Sequence, residues 1–191
     1  MLSSVTKYLP GLEIEIFDEA FEAVPHDGET VGELLIRGPW IASEYFNNPQ
    51  PGKFYEDWLV TGDVAKIDSE QYLVIADRSK DLIKSGGEWI SSVDLENHIV
   101  ALEAISQAAV VAQSHPKWDE RPVVLVVLND GQSISMDQIL EHCVSRFARW
   151  QLPDDVLTVN TLPLTSTGKL DKKTIRANLA DDGYQLPDLR Q

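Results

Sequence analysis

The spacing of apolar residues changes near residue 80, and that change limits the possible folds more than any other feature of the chain. Before it, apolar positions alternate. In LEIEIFD, Leu12, Ile14 and Ile16 alternate with Glu13 and Glu15, the period of a half-buried strand. GELLIRG reads as a second short strand bounded by glycines. WLVTGDVAKID and QYLVIAD read as two more, joined at the turn-forming cluster Asp68-Ser69-Glu70. NNPQPG reads as an irregular loop, and no helical period is sustained anywhere in this part.

After residue 80 the pattern is mixed. Ser91 opens an S-x-x-D sequence, a helix N-cap signal. Leu95, Ile99 and Leu102 then recur at i, i+4 and i+7, one face of a helix. ISQAAVVA and RPVVLVVLND are valine-rich apolar runs of strand length. Ser135 and Gln138 form a capping-box pattern, and the helix behind it places Ile139, Cys143 and Phe147 on one stripe. DDVLTVN is a third strand. The β-α-β-β-α-β order predicts a small α+β lobe with a three-stranded sheet and flanking helices. The tail after Asp181 is polar and is expected to fray.

A chain of 191 residues has room for one large domain or two small ones. Its net charge of −15 disfavours nonspecific binding to nucleic acid or to an anionic membrane surface. No apolar run approaches the roughly 18 residues of a membrane span. The N-terminus lacks the basic start and apolar stretch of a signal peptide. The single cysteine, Cys143, excludes an internal disulfide framework and a cysteine-based zinc cluster, so a reducing cytoplasm is the expected compartment. On an apolar stripe it reads as core rather than nucleophile. His26, His98, His115 and His142 show no metal-ligand spacing, and no metal site is expected. His98 and His142 fall on expected helices, where a structural role is the reading. His115 falls in a loop, where a domain contact is one reading.

Three short loops carry the chemical signal, and each has two readings. Asp63, in Thr61-Gly62-Asp63, either accepts hydrogen bonds from neighbouring hydroxyls, as on a ribose, or caps local N–H groups in a turn. Arg78, Lys80 and Lys84 gather cations ahead of Gly86, Gly87 and Trp89. The glycines permit positive φ and close approach of a ligand, and the indole offers a flat face. The alternative is a solvated hairpin with one core tryptophan. The third loop, LTSTGK, presents Lys169 on what reads as a mobile loop. It lacks the spacing of a Walker A motif, and the plain reading is a surface loop with a solvated lysine.

Taken in order, these loops resemble the C-terminal part of the adenylate-forming (ANL) superfamily, the acyl-CoA synthetases and their relatives. GELLIRGPWIASEYFNNP, WLVTGDVAKID, DRSKDLIKSGGEWISSVDLEN, HPKWDERPVVLVV and LPLTSTGKLDKKTIR look like successive family blocks. GGEWISSVDLEN and HPKWDERP resemble the medium- and long-chain fatty acyl-CoA synthetase branch. Gln71 departs from the pattern, since the family usually places glycine in that turn.

The resemblance implies a fold and a set of roles. Residues 1–79 would be a distorted, barrel-like, antiparallel β-subdomain at the end of the large AMP-binding domain. Residues 80–191 would be the mobile C-terminal α+β domain. Asp63 would bind the ribose hydroxyls of ATP and of the acyl-adenylate, and Arg78 the ribose and phosphates. Lys80 would be the hinge, and with Lys84 and Trp89 it also matches nucleotide-contacting positions. Gly86 and Gly87 would line the path of the pantetheine arm of coenzyme A. Lys169 would complete the adenylation site. The family's ATP phosphate loop, its magnesium-holding Thr-Glu segment and most of its acyl pocket precede these blocks. On this reading the chain is a C-terminal fragment of an AMP-forming ligase that uses ATP, magnesium, coenzyme A and a medium- or long-chain fatty acid. The isolated chain would be inactive, with apolar surface exposed on its β-subdomain and a tendency to self-associate. A ligase for another carboxylic acid, a ligase that loads an acyl carrier protein, and a catalytically silent docking module stay open beside it.

Overall fold

A computed structural model describes residues 5–6, 10–45 and 52–180, and it divides the chain into two compact units, Met1–Lys80 and Asp81–Gln191. The NNPQPG loop, apart from Gly52, and the tail after Ala180 lie outside the described residues.

The first unit is one antiparallel sheet, curled like a half-barrel. Its strands are β1 (Val5–Thr6), β2 (Glu13–Phe17), β3 (Gly32–Arg37), β4 (Phe54–Tyr55), β5 (Trp58–Ile67) and β6 (Leu73–Arg78). They run in the order β1-β6-β5-β3-β2, with β4 paired to β5. The alternation read from the sequence becomes the core: Ile16, Leu34, Ala65, Ile67 and Leu73 are buried together, with Ile14 and Ile36 packed against them. The β5–β6 connection is the expected turn. The Asp68 carboxylate accepts from the amides of Glu70 and Tyr72, both at 2.9 Å. Gln71, where the family favours glycine, sits at φ +65. The turn therefore keeps the left-handed geometry that glycine would adopt, with Gln71 bearing the strain.

In the second unit, β7 (Ile83–Ser85) and β8 (Glu88–Ile90) form a hairpin, followed by α1 (Ser92–Ile99), β9 (Ile105–His115), β10 (Asp119–Leu128), α2 (Met136–Val144), a 3-10 turn over Arg149–Gln151, β11 (Asp155–Thr158) and α3 (Lys172–Ala180). The three expected strands are present, with β10 antiparallel to β9 and parallel to β11. The hairpin joins this sheet at Asp119↔Ser85 and extends it to five strands. Both faces are covered. Val124 and Val126 pack with Leu95, Ile99, Ile139 and Cys143. Val123 and Leu125 pack on the other face with Ile175 and Leu179. A strand buried on two faces has no polar side, which is why RPVVLVVL runs unbroken rather than alternating.

Both expected N-caps form. Ser91 accepts from the amide of Asp94, and Ser135 and Gln138 close a capping box. The helices are shorter than their apolar stripes: α1 ends at Ile99 and α2 at Val144, so Leu102 and Phe147 pack on the core from the turns that follow. His98 and His142 join the two helices. Their rings stack at 4.1 Å, and each Nε2 lies 3.0 Å from the other residue's carbonyl oxygen. Helix α3 has no counterpart in the β-α-β-β-α-β order; it supplies the third layer. No helix among the described residues is long and apolar enough to cross a membrane.

Candidate active site

In the first unit, Asp63 and Arg78 occupy opposed positions on β5 and β6. Arg78 Nε stands 3.7 Å from Asp63 Oδ1, and the guanidinium is more than half exposed. Local geometry fixes the carboxylate. The Thr61 hydroxyl donates to the carbonyl of Leu34 at 2.7 Å and accepts from the amide of Asp63 at 3.1 Å. Gly62 takes φ +81, and the ladder slips between Val64 and Ala65. This irregularity re-aims a side chain at the strand end, as bulges do near ligand sites. The outcome is a carboxylate and a guanidinium side by side on the surface, a pair able to meet vicinal hydroxyls and a phosphate. Lys80, exposed, closes this unit.

In the second unit, Gly86 and Gly87 are the two central residues of a hairpin closed by Ser85 and Glu88. Both have positive φ, +62 and +89, as a two-residue turn of this kind requires. The Gly86 amide donates to the carbonyl of Trp118 at 2.9 Å, and a Cβ on Gly86 would meet the Trp118 ring at 3.2 Å. A Cβ on Gly87 would meet nothing within 4 Å. The turn thus has one glycine pressed against an indole and one open edge.

Trp89 is not a core tryptophan. It is 40% exposed, and Lys84, its cross-strand partner, lies with Nζ 5.3 Å from its ring centre. Beside the hairpin is a cavity of about 360 Å³ lined by Ser85, Gly86, Glu88, Trp118, Arg121, Trp150 and Asp154. His115 braces the turn that carries Trp118, since its Nδ1 accepts from the amides of Lys117 and Trp118 at 3.1 and 3.2 Å. Trp118 and Arg121 lie within the HPKWDERP block, which assigns a role to neither, and Trp150 lies in no motif. Only Arg121 stands out in the sequence, as a charge at the head of an apolar run.

The Lys169 segment is a hydrogen-bonded turn. Leu164 and Leu170 bridge its base. The Thr165 amide donates to the carbonyl of Lys169 at 2.7 Å, the Gly168 amide to that of Thr165 at 2.9 Å, and Gly168 takes φ +78. The Thr165 and Thr167 hydroxyls lie 3.0 Å apart. Lys169 is exposed, and its ammonium group meets no carboxylate among the described residues. Two residues on, Asp171 caps α3. Its carboxylate accepts from the Thr174 amide at 3.1 Å and hydroxyl at 2.8 Å, and these bonds hold its pKa below the usual carboxylate value. Lys172, in the first turn of α3, is buried against Glu96 at 2.8 Å and Ser92 at 2.6 Å. No group of three or more acidic, histidine or cysteine side chains among the described residues could hold a metal ion.

A curled sheet and a two-sided α/β lobe also occur in solved structures of adenylate-forming enzymes. ATP-bound MatB from Rhodopseudomonas palustris superposes with a TM-score of 0.84 at 27% identity, over 95% of this chain and 37% of that one. The o-succinylbenzoate CoA synthetase of Bacillus subtilis, in complex with its acyl-adenylate, gives 0.81 at 29% identity over 92% and 36%. In sequence, residues 94–169 match the AMP-binding enzyme C-terminal domain. The 3-methylmercaptopropionyl-CoA ligase of Ruegeria lacuscaerulensis is 46% identical over 90% of this chain and 32% of its own length. The medium-chain-fatty-acid–CoA ligase of Ectopseudomonas oleovorans is 40% identical over 90% and 31%. The chain is thus similar to the C-terminal part of adenylate-forming enzymes, and residues 94–169 are the segment that the family model covers. It spans about a third of the length of the curated relatives it matches.

Proposed function

We propose that this chain is the C-terminal part of a cytoplasmic AMP-forming acyl-CoA ligase. Residues 1–79 complete its large AMP-binding domain, and residues 80–191 form a mobile domain that turns about Lys80. In the first half-reaction a carboxylate attacks the α-phosphate of ATP, forming an acyl-adenylate and releasing pyrophosphate. Asp63 holds the ribose hydroxyls, Arg78 the ribose and phosphates, and Lys84 and Trp89 complete the nucleotide contacts. Lys169 stabilises the negative charge that develops around the α-phosphate. In the second half-reaction the thiol of coenzyme A attacks the adenylate, releasing AMP. The mobile domain then presents the Gly86-Gly87 hairpin in place of Lys169.

The observation that carries the reading is the Lys169 turn: a hydrogen-bonded, exposed loop that offers an ammonium group with no carboxylate partner among the described residues, at the last residue of the family-model match. A solvated surface lysine has no need of a braced turn. Magnesium would serve the pyrophosphate and would be held by parts of the enzyme outside this chain. The direct test is pyrophosphate release from ATP by the full-length ligase, with a panel of acids and with either coenzyme A or an acyl carrier protein as acceptor. Medium- or long-chain fatty acids with coenzyme A should give the highest kcat/KM. Absence of acid-dependent pyrophosphate release would leave the silent docking module as the reading.

A second substrate reading has a specific observation behind it. The Ruegeria 3-methylmercaptopropionyl-CoA ligase is more similar to this chain than the medium-chain ligase is. A short thioether acid therefore belongs in the panel, and its preference over octanoate would establish that alternative.

The chain by itself is expected to make no acyl-CoA, and turnover by it alone would overturn this. Trp40 is 76% exposed on the β-rich unit, with Phe21 and Tyr45 also exposed. Self-association through that unit is expected, and a single monomeric species in sedimentation would refute it.

A further inference from the structure

Arg121 directs every N–H of its guanidinium into the lobe. Nε donates to Asp154 Oδ1 at 2.9 Å, and Nη2 donates to the same oxygen at 2.7 Å and to the carbonyl of Leu152 at 2.8 Å. Nη1 donates to the Ser85 hydroxyl at 2.9 Å and to the carbonyl of Trp150. These contacts use the full donor set of an arginine, and the side chain is only 11% exposed. The acceptors come from three separate places: the end of β7, the 3-10 turn with the residue after it, and the entry to β11. The same places supply Ser85, Trp150 and Asp154 to the wall of the cavity beside Gly86.

Two consequences follow from this geometry. The guanidinium has no donor left for an incoming phosphate. What the wall offers is indole surface from Trp118 and Trp150, a glycine edge, and the carboxylates of Glu88 and Asp154. That lining disfavours an anion and suits an uncharged, amide-bearing chain. The shoulder of the hairpin is also tied, through Ser85, to the opposite wall. A lysine at 121 would keep the charge but could not reach acceptors on three segments at once.

We propose that Arg121 is a positioning residue for the glycine hairpin. It sets the width of the cavity by tying Ser85 to Trp150, Leu152 and Asp154, and so shapes an uncharged path for the thiol-bearing arm of the acceptor. The second clause rests on the proposed thioester-forming role of Gly86 and Gly87; the first does not.

The experiment has two arms. In this chain, amide hydrogen exchange is followed by NMR for wild type and Arg121→Lys. The Gly86 amide, which donates to Trp118, should exchange about 10-fold faster in the variant, while the Leu95 and Ile99 amides of α1 keep their rates. An unchanged Gly86, or uniform acceleration through the lobe, overturns the positioning role. In the full-length ligase, single-turnover kinetics should show thioester formation slowed about 10-fold and KM for coenzyme A raised, with adenylate formation much less affected. Equal slowing of both steps overturns the link to the acceptor path. If Gly86 responds as expected but the enzyme uses no thiol acceptor, the positioning role is supported and the acceptor reading fails. Asp154→Asn, which keeps an acceptor but relaxes the charge, should give the same pattern more weakly, and it decides the question if Arg121→Lys does not fold.

Discussion

Lys172 and Glu96 form an ion pair inside the second unit, 2.8 Å apart, with side chains 9% and 13% exposed. The pair joins α3 to α1, and Glu96 also accepts from the amide of Val110 on β9 at 2.8 Å. Removing the cation breaks this ion pair around a carboxylate that stays buried, and breaking a buried pair by removing one partner is strongly destabilising. Lys172→Met should lower stability by about 3 kcal/mol. Lys173→Met, on the exposed side of the same helix, should change it by less than about 0.5 kcal/mol. Urea denaturation of this chain measures both, and equal effects would show that the pair contributes nothing specific.

On the proposed role, Lys169 would separate the two half-reactions. Its charge would be placed at the α-phosphate as pyrophosphate is displaced, and the mobile domain would withdraw it before the thiol attacks. Lys169→Ala in the full-length ligase should slow that step about 100-fold or more and leave thioester formation from a supplied acyl-adenylate far less affected. Single-turnover measurements of each step check this. Equal loss in both would make Lys169 a general binding residue.

The two glycines of the hairpin should respond differently. Gly86→Leu meets both a positive φ and the Trp118 ring, and it should slow thioester formation more than adenylate formation. Gly87→Ala meets open space, so only the left-handed backbone opposes it, at about 1 kcal/mol. Its loss should appear in thermal stability rather than in KM for coenzyme A. A larger kinetic defect in Gly87→Ala than in Gly86→Leu would contradict the geometry.

Burial pushes the Cys143 thiol up to about 11. At pH 7.5 almost no thiolate is present, and the side chain is packed between α1 and the sheet. A thiol-reactive disulfide reagent should leave the native chain unmodified and label one thiol after unfolding in urea. Rapid native labelling would show that this core opens readily.

Asp171 gives the acid dependence of α3 a sign. Its folded pKa lies below its unfolded value because Thr174 donates to the carboxylate. The stabilisation is therefore complete above the unfolded value, about pH 4. It is lost as the pH falls through the lower folded value. The gap in Tm between wild type and Asp171→Ala should be constant from pH 5 to 7 and narrow below about pH 4. A gap that widened in acid would reverse the assignment.

Much of this architecture is legible in the residues themselves. Alternation sets the strands of the β-rich unit, because one face of each meets a core and the other meets water. Ser91 and Ser135 mark two helix starts, because a side-chain oxygen at that position satisfies an amide the helix leaves bare. The order of short blocks carries the family resemblance. Tertiary structure decided the rest, because the deciding contacts join residues far apart in the chain. Helix α3 went unread: its apolar contacts are only Ile175 and Leu179, and its third inward residue is the charged Lys172, whose partners Ser92 and Glu96 lie on α1. Gly86-Gly87 reads as freedom in the sequence, but the fold presses one glycine on Trp118 and leaves the other open. Arg121 reads as a charge at the head of an apolar run; only folding brings Ser85, Trp150, Leu152 and Asp154 within reach of one guanidinium. Local sequence determines backbone period and caps, while the placement of a charge depends on what long-range packing sets beside it.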